Sequence, residues 1–164
     1  VVFKDARKDN AINGIMASIF GASGQSCIAG SRLYLQEDIY HEYLEELKSR
    51  VKAIKIGDPL STTTQLRPLA TLNQLQNIEE KIKQTIEQGG KIISGGNKVS
   101  EFKNGYYFEP TIIECANHNL PVAENELFGP VLSVMKFKDE ENAIKLMNDN
   151  SFGLAAGIFT ENME

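Results

Sequence analysis

Apolar residues recur along this chain with two different spacings. Ile12, Ile15, Met16, Ile19 and Phe20 follow the i, i+3, i+4, i+7, i+8 order of one helical face. Asp5 or Asp9 is placed to cap the start of that helix, and Gly21 and Gly24 to end it and open a loop over residues 21–26. Tyr40, Tyr43, Leu44, Leu47, Val51 and Ile54 predict a second amphipathic helix. Glu42, Glu45 and Glu46 lie in its early turns and Lys48, Arg50, Lys52 and Lys55 in its late ones, an order that complements the helix dipole. Gly57 and Pro59 are its expected stop, and residues 61–67 read as a polar loop. Leu75, Ile78, Ile82 and Ile86 carry a third helix, ended by Gly89-Gly90. Asp139 caps a short fourth helix bearing Ala143, Ile144 and Met147.

Between the helices run short apolar or β-rich segments: residues 1–3, 32–36, 92–93, 106–113, 131–137 and 155–160. The pair Ile92-Ile93 reads as a buried strand, and Pro110 interrupts the fourth segment, which suits an edge or a break. Strands alternating with helices predict an α/β fold, a three-layer open, mostly parallel twisted sheet with flanking helices. The 164 residues fit one domain, with no internal repeat, low-complexity tract or linker.

Composition narrows the function classes. The chain is 41% apolar and 24% charged, ordinary globular usage. Its net charge of −5 argues against a nucleic-acid partner, and no apolar run approaches the ~20 residues of a membrane span. No basic-then-apolar leader opens it. Two cysteines far apart, Cys27 and Cys115, suit a reducing compartment, and the expected location is cytoplasmic. Val1 opens directly into an apolar triplet without an initiator Met, so both ends read as cut from a longer polypeptide.

Three segments hold candidate chemistry. Gly24-Gln25-Ser26-Cys27 sits in a glycine-bounded loop, where a thiolate nucleophile finds both access and a rigid scaffold; the plainer reading of an isolated Cys is a small inert hydrophobe. In Glu124-Asn125-Glu126-Leu127-Phe128-Gly129-Pro130, an extended backbone would turn Glu126 and Phe128 to one face. The carboxylate there could accept hydrogen bonds from a ribose diol, and the ring could pack on a flat ring; a solvated turn ended by Gly-Pro fits the composition equally. Residues 148–154 read as a helix stop before a strand. His41 falls within a helix. His118 is expected in a surface turn, and its C-x-x-H spacing from Cys115 supplies two ligands, too few for a zinc site; no metal is expected.

Taken in order, these segments resemble the aldehyde dehydrogenase superfamily. The resemblance runs from Val1-Val2-Phe3-Lys4-Asp5-Ala6 through Gly24-Gln25-Ser26-Cys27, Ser31-Arg32 and Gly57-Asp58-Pro59 to Gly89-Gly90-Lys91-Ile92 and Gly95-Gly96. It continues through Phe108-Glu109-Pro110-Thr111-Ile112, Glu126-Leu127-Phe128-Gly129-Pro130-Val131 and residues 152–160. The Gly-Gln-x-Cys and Glu-x-Phe-Gly-Pro elements, about a hundred residues apart, are specific as a pair.

The resemblance implies an NAD- or NADP-dependent oxidation of an aldehyde to a carboxylic acid. It makes Cys27 the nucleophile and the Cys27 backbone N–H an oxyanion donor. It places Glu126 on the nicotinamide-side ribose, with Gln74 beside it, and Phe128 on the nicotinamide. Ser26 and Ile28 would line the substrate tunnel, and Asn148 would be structural. It further implies a homodimer or homotetramer of the full-length protein, with a small-molecule aldehyde as substrate and no membrane or nucleic-acid partner. By this reading residues 1–164 are the nucleophile-bearing catalytic domain. The nucleotide-binding domain, the general-base Glu and the second oxyanion donor lie outside it, so the chain alone is expected to be inactive. Arg67 stands where the family has Gly. Two rivals remain: a CoA-acylating semialdehyde dehydrogenase, in which a thiol replaces water, and a non-catalytic α/β module.

Overall fold

The computed structural model describes residues 1–162. Its elements run α1 (Lys8–Phe20), β1 (Arg32–Gln36), α2 (Tyr40–Lys52), α3 (Leu72–Glu87), β2 (Lys91–Ser94), β3 (Thr111–Glu114), α4 (Pro121–Glu124), β4 (Val131–Phe137) and α5 (Glu140–Asn148). The four strands form one sheet in the order β1-β4-β3-β2. β1 and β3 both run parallel to β4, and β2 lies antiparallel to β3 at the edge. This is the mostly parallel α/β sheet that the alternation of elements predicts.

Side-chain parity explains the three layers. Leu33 and Leu35 of β1, Ile112 of β3 and Leu132 and Val134 of β4 pack with the inner faces of α1 and α2. The alternate residues Tyr34, Ile113, Val131, Met135 and Phe137 pack on the other side with α3, α4 and α5. Successive strand residues point to opposite faces, so a strand covered on both sides must be apolar almost throughout. Six of the seven residues of β4 are buried. Among the described residues no helix is long and apolar enough to cross a membrane.

Local chemistry sets the helix ends, with some departures from expectation. The Asp139 side chain accepts from the Asn142 N–H and starts α5, as its position predicts. Thr71 does the same for α3 through the Gln74 N–H. Neither Asp5 nor Asp9 caps α1, whose N-cap position is Arg7 with no side-chain hydrogen bond. Asp5 instead accepts from the Thr160 hydroxyl and the Glu161 and Asn162 N–H groups. Those three donors outcompete a helix start a few residues away. α2 stops at Lys52, ahead of Gly57 and Pro59.

Three expected strands also change. Residues 1–3 contribute two isolated bridges, both at Val2, to Leu35 on one side and Phe159 on the other. Residues 155–160 likewise pair only at Phe159, and residues 151–158 are exposed. Ile92-Ile93 is not buried: β2 is an edge strand, and Ile92 is 40% exposed. Pro110 delays β3 until Thr111, since proline cannot donate to the ladder.

His118 lies nine-tenths buried rather than in a surface turn. Its Nε2 is 2.6 Å from Asp149 Oδ2, and its Nδ1 has no partner among the described residues. Its neighbour Cys115 is buried, and that burial, reinforced by the Glu114 charge, pushes its thiol from 9.0 up to about 12.

Two outcomes test this packing. Leu35→Ala, at a fully buried position, should cost about 2–5 kcal/mol by urea titration, whereas Leu154→Ala, at an exposed one, should change stability by less than ~0.5 kcal/mol. The second concerns alkaline stability. The Cys115 thiol ionises more easily unfolded than folded. Its contribution is therefore complete below pH 9.0 and is lost as pH rises toward about 12. The loss reaches up to ~1.4 kcal/mol per pH unit. Cys115→Ala should lose less stability than the parent between about pH 8 and about pH 10.

Candidate active site

β1 and β4 are neighbouring parallel strands, with Arg32 beside Ser133 in their register. The segments that feed them, residues 24–31 and residues 125–130, therefore arrive at the same end of the sheet. Ser133 seals the junction: its N–H and its hydroxyl both donate to the Ser31 carbonyl, at 2.9 and 3.0 Å. The two motif loops meet at the amino ends of the parallel strands. The usual rule places ligands beyond the carboxyl ends. Here the chemistry-bearing residues lie on the loops that enter the strands, so the cleft forms at the opposite end.

The loops are in backbone contact. A Cβ on Gly24 would fall 2.1 Å from the Gly129 carbonyl oxygen, closer than any side chain could sit. Gly24 also has φ +69°, a left-handed conformation that glycine alone adopts without penalty. Ala22 and Ser23 precede it at φ 50° and 58°, so three successive left-handed residues turn the chain sharply after α1. Phe128 carries the same strain on the facing loop, at φ 54°. An extended backbone over residues 126–128 is thus corrected to one that reverses at Phe128. Those three residues are the non-glycine positions with positive φ among the described residues, and all lie in the two loops.

Ser26, Ser31, Glu126, Leu127 and Phe128 line the cleft between the loops, a water-sized space of about 20 Å³. Cys27 follows Ser26 in the chain and is exposed. Among the described residues its backbone N–H has no hydrogen-bond partner. Ile28 is 64% exposed, and neither Ile28 nor Cys27 is among the residues that line that space. Phe128 is 42% exposed, and Glu126 is exposed beside it. Gln74, in the first turn of α3, donates its side-chain amide to the Phe128 carbonyl. Asn148 stands apart, its amide donating to Ile144 within α5. A larger groove, about 510 Å³, lies elsewhere, between α3 and β2.

Several supporting residues escape a reading of motifs alone. Gln25 uses both ends of its amide on one segment: Nε2 donates to the Pro68 carbonyl at 3.1 Å, and Oε1 accepts from the Ala70 N–H at 2.9 Å. Buried Ser23 accepts from the Arg67 N–H at 2.8 Å. That bond uses Arg67 only through its backbone, and Arg67 has no positive φ, so nothing here requires a glycine. Arg32 opens β1 and donates to the Ala123 and Glu124 carbonyls, with the Phe152 ring 4.6 Å away. Burial lowers its pKa below the ordinary arginine value, opposed by the Tyr34 and Glu126 charges.

The whole of this arrangement falls within one family. The aldehyde dehydrogenase family model matches residues 1–164. The chain belongs to that family. It is 43% identical, over 99% of its length, to the (Z)-2-((N-methylformamido)methylene)-5-hydroxybutyrolactone dehydrogenase of Acinetobacter baylyi, and 35% identical to 4-trimethylaminobutyraldehyde dehydrogenase A of Danio rerio. It spans about a third of the length of these curated relatives. Among solved structures, PnpE in complex with nicotinamide adenine dinucleotide matches with a TM-score of 0.95 at 38% identity, over 99% of this chain and 34% of that one. Betaine aldehyde dehydrogenase of Staphylococcus aureus, in complex with NAD+, matches with a TM-score of 0.95 at 32% identity, over 98% of this chain and 33% of that one. Over the third of those chains that it covers, this aldehyde dehydrogenase segment keeps their fold.

The close approach of the loops is open to test. Gly24→Ala must displace backbone and hold alanine at positive φ, so it should destabilise by at least ~2 kcal/mol in a urea titration. Gly21→Ala, with open space around its site, should change stability by less than ~1 kcal/mol.

Proposed function

We propose that this chain is the nucleophile-bearing catalytic domain of an NAD(P)-dependent aldehyde dehydrogenase, working as one part of a longer polypeptide. The observation that carries this reading is the backbone contact between Gly24 and Gly129, which sets the Cys27 loop against the Glu126–Phe128 turn. Family membership and coverage of a third of the relatives' length support the remainder.

Cys27 is the nucleophile. Its sulfur adds to the aldehyde carbonyl carbon, a C–S bond forms, and the oxygen takes up negative charge. The free N–H of Cys27 stabilises that oxygen. NAD(P) supplies the two-electron hydride acceptor. When the carbon has lost its hydride, the carbonyl reforms as a thioester on Cys27. Water then attacks, the C–S bond breaks, and the carboxylic acid leaves with the thiol restored. Ser26 and Ile28 flank the nucleophile in the chain: Ser26 lines the cleft, and Ile28, outside it, offers an exposed apolar side chain to an approaching aldehyde.

The residues of the Glu126–Phe128 turn suit the nicotinamide end of the cofactor. Glu126 offers an exposed carboxylate to a ribose diol, and the half-exposed Phe128 ring offers a flat apolar surface. Gln74 stands beside them. The two free cysteines suit a reducing, cytoplasmic setting, and the longer polypeptide works as a homodimer or homotetramer.

Selective alkylation of Cys27 over Cys115 does not by itself diagnose catalysis. Cys115 is buried with its thiol near 12, so burial alone makes it inert. Turnover is the decisive measurement. The longer polypeptide should reduce NAD or NADP with an aldehyde, and Cys27→Ala should abolish steady turnover. Glu126→Gln should raise the KM for the cofactor at least about tenfold, as expected for a charged hydrogen bond. The 164-residue chain alone should give no measurable turnover. The relatives are about three times as long, and a positioned cofactor, a second oxyanion donor and a base supplied by the rest of such a polypeptide would each be worth at least about a hundredfold in rate. Aldehyde oxidation that survives Cys27→Ala would refute the assignment.

A further inference from the structure

Residues 67–74 touch both halves of the site. They form a strap that runs from the polar loop into the first turn of α3. On one side it meets the nucleophile loop. The Arg67 N–H donates to Ser23, and the Pro68 carbonyl and Ala70 N–H occupy both ends of the Gln25 amide. On the other side, Gln74 donates to the carbonyl of Phe128.

Both anchored loops are strained where the strap holds them. Ser23 and Phe128 each have positive φ without being glycine. Such conformations persist only where surrounding contacts over-determine them. Each end of the Gln25 amide is engaged by the strap, and Gln25 is half-buried. Both glutamines thus tie loop backbone to the strap through their side-chain amides.

We propose that Gln25 and Gln74 are positioning residues that act through this strap, fixing the distance between the Cys27 loop and the Glu126–Phe128 turn. This rests on reading Cys27 as nucleophile and Glu126–Phe128 as the cofactor turn. Among the described residues, the Gln25 side chain makes no hydrogen bond to the cofactor turn and the Gln74 side chain makes none to the nucleophile loop. The strap therefore makes a crossed prediction.

The test uses the longer polypeptide with two measurements: the rate of Cys27 alkylation by iodoacetamide and the Kd for NAD. Gln25→Leu should raise the Kd for NAD by about three- to tenfold. Gln74→Leu should shift the alkylation rate of Cys27 by about three- to tenfold. That range is the factor one ordinary hydrogen bond commands. Melting temperatures of both variants confirm that the folded protein is being compared. Should Gln25→Leu fail to fold, Gln25→Glu, which keeps the acceptor for the Ala70 N–H, carries that arm. If either crossed quantity stays within about twofold of the parent, the strap does not couple the loops and the proposal falls. Turnover that persists in Cys27→Ala would instead defeat the underlying functional reading, whatever the glutamine variants do.

Discussion

The contact between Gly24 and the Gly129 carbonyl is the constraint on which the site depends. Two loops remote in sequence come into backbone van der Waals contact because neither carries a Cβ between them. Each loop is also the entry to a strand. β1 and β4 are hydrogen-bonded side by side, so the ladder delivers both loops to one end of the sheet. A side chain at position 24 would push the loops apart at the cleft, while the strands beneath held their register. The rigid sheet and the close approach thus act together: one brings the segments near, and the other sets their separation.

Strain is concentrated at this junction. Ala22, Ser23 and Phe128 hold left-handed backbone that ordinary residues avoid at a cost of about 1–3 kcal/mol each. The compensation comes from hydrogen bonds that reach across elements: Arg67 to Ser23, the two ends of Gln25 to residues 68 and 70, and Gln74 to Phe128. Arg32 adds a further tie, from the start of β1 to the carbonyls of α4. The arrangement matches the general rule that reactive groups sit on loops held by a rigid scaffold.

The two cysteines show how placement alone divides one chemistry into two behaviours. Cys115 is enclosed between the sheet and its helices, and burial holds its thiol protonated well above neutral pH. Cys27 lies on the strained loop, exposed, with an unused N–H of its own. The glycine-bounded loop around Cys27 hints at access, but no local feature says how deeply Cys115 is covered. The distinction comes from which one the sheet covers.

Much of the fold is legible in the residues themselves. The helical faces of α1, α2 and α3, the cap at Asp139 and the near-continuous apolar run of β4 all follow from periodicity and capping, which are local properties. The family, too, is carried by short motifs whose order a sequence displays directly. What periodicity cannot supply is anything decided by a distant partner. Asp5 looks like a helix cap and instead binds residues 160–162. Ile92-Ile93 looks buried and lies on the sheet edge, because apolar composition does not say which strands are outermost. His118 looks like a turn residue and is buried against Asp149. Residues 126–128 look extended, yet a carbonyl held by Gln74 accompanies a reversal at Phe128. Local sequence was enough for α1, α2, α3, α5, β1 and β4, for their apolar faces and for the presence of Cys27 and Glu126. That the two segments bearing them meet at the amino ends of β1 and β4 is set by strand order and by a contact between backbones about a hundred residues apart, neither of which is a local property of the chain.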